Sequence, residues 1–447
     1  MDEQDRESAA AHARVLRPEL AARGVRLLAV TWVDNSGITR TKAIPLDRLE
    51  SLAAWGVGAS PCFDTFLFND MPMTSGAVGD LRLHPDLGRV TVLTGQPGWA
   101  WAPGDRYDQD GAVYPGDQRS AARAAMDLLA ARGWSARCAF EVEWTIGEDT
   151  DEFRPGSRGP AYSYARLVSR SDYVRDVAVA LGDQGVAVEQ IHPEYSPGQF
   201  EVSVAAADPV AAADDVVLVR QTIRAVSQRH GLRVSFSPQV LADGVGNGGH
   251  VHISVWDGER NLCSGGDGPH GLTRPGEAFA AGILERLPAL LAIGTPSVAS
   301  YLRLIPQHWA GAFAVWGLEN REAALRLVSG STGSRSWAAN LEVKSFDLTA
   351  NPYLVVAGLI HAGMAGVDTQ ATLPAPVEVD PALLADLPPR LPASLAEATD
   401  AFEADKTLTS AFGAQLVSDI LAVRRGEVEF FADATPDEIT AAMRWAH

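Results

Sequence analysis

The segment Asp243-Gly244-Val245-Gly246-Asn247-Gly248-Gly249-His250-Val251-His252-Ile253-Ser254 decides between two kinds of fold. Gly244, Gly246 and Gly249 match G-x-G-x-x-G. A dinucleotide fingerprint of that form follows a strand and opens a helix, whose N-terminus receives the pyrophosphate. Here the glycines open a run in which His250, His252 and Ser254 alternate with Val251 and Ile253. Alternation with period two is a strand, so the Rossmann reading fails. A glycine-rich turn feeding a polar-faced strand instead lets backbone approach a substrate closely.

The same pattern recurs on both sides of this segment. Glu141 and Glu143 flank Val142. Gln199 and Glu201 follow Glu194 across a Pro-Gly turn, and Glu342 and Lys344 flank Val343. Residues i and i+2 of a strand share one face. One such pair is more often the wet face of a half-exposed strand. Four segments, three of them bearing carboxylates, point further. Five glutamates and a histidine on one surface repel one another unless cations lie between them. Carboxylates with one imidazole suit Mg²⁺ or Mn²⁺ better than structural zinc. Arg303, Arg321, Arg326 and Lys344 supply a basic set within about 40 residues; surface salt bridges are the plainer reading of these four. Arginine forks match carboxylate or phosphate. Carboxylate-held cations with arginines are the toolkit of phosphoryl transfer from ATP, here without a Walker A motif.

Around this centre the chain reads as α+β. Residues 1–24 have helical spacing. Residues 25–33 and 38–44 form a hairpin across the turn Asp34-Asn35-Ser36-Gly37. A short helix runs towards Trp55, and 90–93 is a short strand. Gly, Pro and Asp cluster between Gly95 and Gly116, a candidate boundary. Asp117 caps a helix ending near Gly133, and Arg137 to Thr145 is a strand. Asp208-Pro209 and Asn351-Pro352 each open a helix, the second of them buried. Arg233 to Val240 reads as a strand, and the tail after Pro388 as mostly helical.

The chain has 447 residues, with 37 Lys and Arg against 56 Asp and Glu, a net charge of −19. This balance disfavours nucleic-acid and anionic-membrane binding. Three scattered cysteines, no signal-like N-terminus and no long apolar run predict a cytoplasmic protein.

Taken in order, these motifs resemble the glutamine synthetase family. They are the Glu-x-Glu strand, Glu194 with Gly-Gln-x-Glu, Gly-x-Gly-Gly-His-Val-His-x-Ser and Tyr301-Leu302-Arg303-Leu304. Asn320-Arg321 with Arg326, and Glu342-Val343-Lys344 before Asn351-Pro352-Tyr353, complete the set. The resemblance covers about residues 25–445. It implies an N-terminal β-grasp domain (25–108) after the helix 1–24. A catalytic domain (109–447) follows, with a curved antiparallel sheet flanked by helices. It implies ATP, two or three Mg²⁺ or Mn²⁺ ions, and a ring homo-oligomer, typically a dodecamer. By motif position, Glu143, Glu194 and Glu201 hold one metal, and Glu141, His250 and Glu342 the other. His252 and Ser254 meet the nucleotide, and Arg321 and Arg326 its phosphates. Arg303 and Lys344 meet the amino-acid carboxylate, with backbone contact from Gly246. Arg321, Arg303 and Glu342 serve catalysis.

The departures from the family direct the substrate reading. The family carries a proton-accepting glutamate in a flap, where this chain has Trp309. It has an ammonium-binding aspartate in an Asp-Gly-Ser-Ser context, for which Asp64 is a poor match. Lys344 replaces an arginine, and Val245 an asparagine. Ammonium needs anionic acceptors, whereas tryptophan offers apolar area and a cation-binding face to a larger amine; packing is the alternative role for Trp309. The resulting expectation is an ATP-dependent glutamate–amine ligase. It forms a γ-glutamylamide through a γ-glutamyl phosphate, with ethanolamine, a polyamine or an alkyl- or arylamine as the amine. The alternatives are a true glutamine synthetase and a catalytically idle ring-forming homologue.

Overall fold

In the computed structural model, residues 1–74, 78–150 and 152–447 are described. A six-stranded sheet forms the N-terminal part. Leu27–Val33 pairs antiparallel with Thr39–Pro45 and parallel with Trp99–Tyr107. The latter also pairs with Leu81–Pro85, which carries Val57–Ala59 at the edge. Helices Glu3–Ala22 and Leu49–Trp55 bury Ala13, Leu20, Leu49 and Leu52 against Leu28, Val30, Leu83 and Ala100. At the hairpin turn the Asp34 carboxylate accepts from the N–H groups of Ser36 and Ile38, at 2.9 and 3.0 Å.

The Gly95–Gly116 stretch, expected as a boundary, contains the central strand of this sheet. Its Pro-Gly pair is where the strand changes neighbours. Residues Trp99 to Pro103 pair with the first strand, and Gly104 to Tyr107 with Leu81–Pro85. Pro103 donates no hydrogen bond, but its carbonyl accepts from Asp86 N at 2.8 Å.

Seven of the nine strands of the larger sheet run in the order Phe313–Leu318, Ala323–Val328, Asn340–Val343, Val251–Asp257, Trp134–Glu148, Gln199–Val204, Val188–Pro193; Leu232–Ser235 pairs with Trp134–Glu148, and Arg260–Asn261 with Val251–Asp257. The sheet is antiparallel except for its first pair. One face carries Val142, Trp144, Phe200, Val202, Val251, Ile253, Leu341 and Val343, all buried in a continuous core. Helices Pro209–Arg229, Arg274–Gly294 and Pro352–Thr369 contribute to that core. Asp208, Thr273 and Asn351 cap them, each with proline in the first turn. The expected strand 233–240 is only Leu232–Ser235. Beyond it, Phe236 N bonds to the His447 carbonyl, and the Ser237 and Pro238 carbonyls accept from Asn247. This segment therefore braces the glycine loop rather than extending the sheet.

Candidate active site

The polar face of the large sheet is assembled by register. Glu143 stands opposite Glu201 on one neighbouring strand, and Glu201 stands opposite His192 on the next. Two strands away, His252 faces Glu342, which in turn faces Arg326. Paired residues in such rows have Cβ atoms about 4.5–5.5 Å apart, so side-chain heads on one row must meet. Glu143, Glu201, His192 and Arg326 line a cavity of about 610 Å³ together with Glu141, Glu194, His250, Arg303, Arg321 and Lys344, and Glu342 lies behind it, 3.1 Å from Lys344 Nζ.

Two donor clusters result. Ligand atoms of Glu141, His252 and Glu342 lie within 4.8 Å of one another, and so do those of His192, Glu194 and Glu201. His250 also belongs to the first group, with Nδ1 2.8 Å from Glu141 and 3.4 Å from Glu342. His252 Nε2 is 3.2 Å from the other oxygen of Glu141. His252 therefore stands among the acids as well as at the expected nucleotide position. His192 is an addition to the sequence-derived set. Its Nε2 is 3.3 Å from Glu201, and its buried Nδ1, 3.4 Å from Glu194 Oε1, has no well-formed hydrogen bond among the described residues.

Charge within the site is unevenly compensated. Burial alone would raise the Glu342 carboxyl, but Lys344, His252 and His250 hold it at about 2. Lys344 Nζ lies 3.1 Å from its Oε1, with both side chains buried. Burial likewise opposes ionisation of Glu141, and hydrogen bonds from His250 and His252 hold its carboxyl well below the usual range. Glu143 has the opposite balance. Burial, then the like charges of Glu201 and Glu194, push it up to about 8. Burial also raises Glu194. Crowded carboxylates beside an orphaned imidazole nitrogen fit divalent cations: the donors are hard oxygens plus nitrogen, and the missing charge is positive.

The remaining expected residues take the following places. Arg303 is buried and donates to the carbonyls of Lys344, Ser345 and Phe346 at 3.1–3.3 Å. Its Nη2 also lies 3.1 Å from His250 Nε2. Arg326 bridges Glu342 at 2.9 Å and Glu319 at 2.6 Å, while Arg321 is exposed at the cavity. His252 and Ser254 line an adjoining cavity of about 520 Å³, with Trp337 on its wall. At Gly246 a Cβ would sit 2.0 Å from the Pro238 carbonyl oxygen. The glycine loop is thus pressed against the protein's own backbone, not only held near a substrate.

Trp309 lines the cavity, and its ring stacks on Tyr195 at 4.5 Å and 17°. Tyr195 meets Tyr162 edge-on at 5.7 Å, and Tyr162 stacks on His192 at 4.9 Å. Asp64 lies elsewhere. Fully buried, it receives Arg106 Nη1 on both oxygens at 2.8 Å. Arg106 also binds Asp117 and Gln118. Asp64 is a structural ion-pair partner within the N-terminal part.

Residues 115–442 match the family model for the glutamine synthetase catalytic domain. A gamma-glutamylpolyamine synthetase of Streptomyces coelicolor is 50% identical over 97% of this chain and 96% of its own. A glutamate–methylamine ligase of Methyloversatilis universalis is 29% identical over 94% of this chain and 97% of its own. A crystal structure described as a novel glutamine synthase homolog superposes with a TM-score of 0.85 at 32% identity, covering 94% of this chain and 98% of the other. The ordered motifs, the two-sheet architecture and these matches agree: the chain belongs to the glutamine synthetase family.

Proposed function

We propose that this chain is an ATP-dependent ligase that joins the γ-carboxylate of glutamate to an organic amine, with polyamines as the leading class. The observation that carries this reading is the wall of Trp309 stacked on Tyr195. It stands where the family places a proton-accepting carboxylate. The second acid that ammonium would need has no counterpart in Asp64, whose oxygens are held by Arg106. A relative named for polyamines and another named for methylamine support an organic amine.

In this reading the two donor clusters hold two or three Mg²⁺ or Mn²⁺ ions. Glu143, Glu194 and Glu201, with His192, form one site; Glu141, His250 and Glu342 form the other. When bound, these ions offset charge on the phosphates of ATP. His252 and Ser254 orient the nucleotide from the adjoining cavity, and Trp337 offers a ring to its base. Arg321 and Arg326 meet the phosphates, and Arg321 supports the transferring group. Lys344 and Arg303 face the acid, with Gly246 closing the space beside it. Phosphorylation converts the γ-carboxylate into a good acyl donor, and the interface between subunits of the ring keeps water from it. The reading includes the division at residues 24 and 108, a ring homo-oligomer such as a dodecamer, and a cytoplasmic place. No helix among the described residues is long and apolar enough to cross a membrane.

The test is phosphate release from ATP with Mg²⁺ and glutamate across an amine panel that includes ammonium, with products checked by mass. Turnover with an organic amine well above that with ammonium supports the ligase. Ammonium as the best substrate refutes it.

A further inference from the structure

The loop that carries Trp309 is held in an unusual way. Gln307 and Trp309 both adopt positive φ, 63° and 54°. Residues other than glycine rarely do so without a compensating contact. The compensation is one carboxylate. Glu322 Oε1 accepts from Trp309 N at 2.7 Å, and Oε2 accepts from Gln307 N at 3.2 Å. Glu322 is itself buried, and it follows Arg321 directly in the turn after the strand Phe313–Leu318. A charge-assisted pair of N–H bonds of this kind fixes a loop more firmly than neutral contacts. The opposite ring is also placed from below: Tyr195 N donates to Glu194 Oε2 at 3.2 Å. The stacked rings stay about two-fifths exposed, Tyr195 at 41% and Trp309 at 39%. Two aromatic side chains fixed in a stack, yet left open to water beside a cavity, are a prepared surface rather than core.

We propose that Glu322 is a positioning residue that fixes Trp309 against Tyr195, and that this stacked pair reads the cationic part of the amine that is not coupled. The inference rests on the ligase reading. The nitrogen that attacks must be unprotonated. Any further amino groups of a polyamine remain ammonium at neutral pH and need a partner. An aromatic face attracts ammonium, and contact with a fixed pair is worth about tenfold in affinity. A monoamine has no second charge and takes only weak apolar contact from the pair, so the wall discriminates by charge number.

The test compares 1,4-diaminobutane with n-butylamine in wild type, Glu322→Ala, Glu322→Gln, Tyr195→Ala and the double alanine variant. In Glu322→Ala and Tyr195→Ala, KM for the diamine should rise about tenfold. KM for n-butylamine, glutamate and ATP should stay within about twofold. The double variant should lose no more than either single, because both changes disrupt one stack. Glu322→Gln keeps an acceptor for Trp309 N and should recover most of the loss. Equal shifts for diamine and monoamine, a parallel rise for ATP through Arg321, or additive losses would overturn the proposal. Wild type inactive with every amine would instead refute the ligase reading. Calorimetric titration of 1,4-diaminobutane into the Mg²⁺- and ADP-loaded protein then decides the wall separately. Weaker binding in Tyr195→Ala supports it; unchanged or absent binding overturns it.

Discussion

Replacing Glu143 by glutamine should stabilise the metal-free protein while disabling it. In the folded chain the Glu143 carboxyl is pushed from 4.5 to about 8, by burial first and then by Glu201 and Glu194. The folded state thus holds a proton that the unfolded state releases. A carboxyl raised in this way lowers stability as pH rises from about 4.5 to about 8, with little further change above. At pH 7 the cost is about 3 kcal/mol. Glutamine removes that cost but presents an N–H group to Gln199 Nε2, which now donates to Glu143 at 2.8 Å. That mismatch costs about 1 kcal/mol. The net gain is about 2 kcal/mol, or about 2 °C in Tm for a chain of this length. Thermal unfolding with a chelator at pH 7 measures it. With saturating Mg²⁺ at pH 8 the order should reverse, because the wild-type carboxylate is then compensated by the ion. Wild type should also gain more from Mg²⁺ at pH 8 than at pH 6, since binding displaces a proton. A Glu143→Gln variant less stable than wild type in chelator would refute the charge-crowding argument.

Four further outcomes follow from the geometry. Lys344→Ala should raise KM for glutamate by about tenfold or more through loss of a buried cation facing the acid; an unchanged value in steady-state kinetics would place the acid elsewhere. Trp309→Glu puts a carboxylate on the strapped loop and should improve ammonium use relative to larger amines, read as a ratio of kcat/KM values. Asp64→Ala takes one of two carboxylates from the buried Arg106, leaving Asp117, and should destabilise by about 1–3 kcal/mol in urea. The ratio of ammonium to organic-amine turnover should not move, and a selective loss of ammonium turnover would restore Asp64 to the site. Gly37→Ala drives a Cβ to within 1.9 Å of the Thr349 carbonyl oxygen at φ +73°. It should lower stability by about 2–4 kcal/mol, seen as a lower denaturation midpoint.

What was legible in the sequence is what strand periodicity encodes. Alternation at 141–143, 199–201, 250–254 and 342–344 placed each acid on one face, and the structure spreads those faces over two adjoining cavities, with Glu141, Glu143, Gln199, Glu201, His250 and Lys344 in the first and His252 and Ser254 in the second. Helix starts at Asp208-Pro209 and Asn351-Pro352 were legible because cap and proline act within one turn. The central strand Trp99–Tyr107 was hidden because its Pro-Gly pair is a turn signal locally, and only the switch between two neighbours makes it a strand. The helix Arg274–Gly294 was missed behind a Gly- and Pro-rich approach, although Thr273 with Pro275 is the same cap signal.

His192, Tyr195 and Glu322 were illegible for a different reason. No short-range pattern marks them. His192 joins the acids only because its strand pairs in a register that sets it opposite Glu201, with an irregularity between Val188 and Gln190. A one-residue slip would turn its side chain to the other face. Tyr195 acquires its role from a loop over 100 residues away, and that loop holds its shape only through Glu322. The resemblance marks position 309 as lacking a carboxylate, but only the structure shows the carboxylate of Glu322 behind the loop. At 309 the family's acid faces the substrate. In this chain a glutamate 13 residues later faces the backbone of the same loop instead. The negative charge of Glu322 serves the scaffold of the loop, and under the proposed function the stacked aromatic pair faces the amine. Under that proposal the site favours an amine that brings its own extra charge over one that needs a carboxylate to hold it.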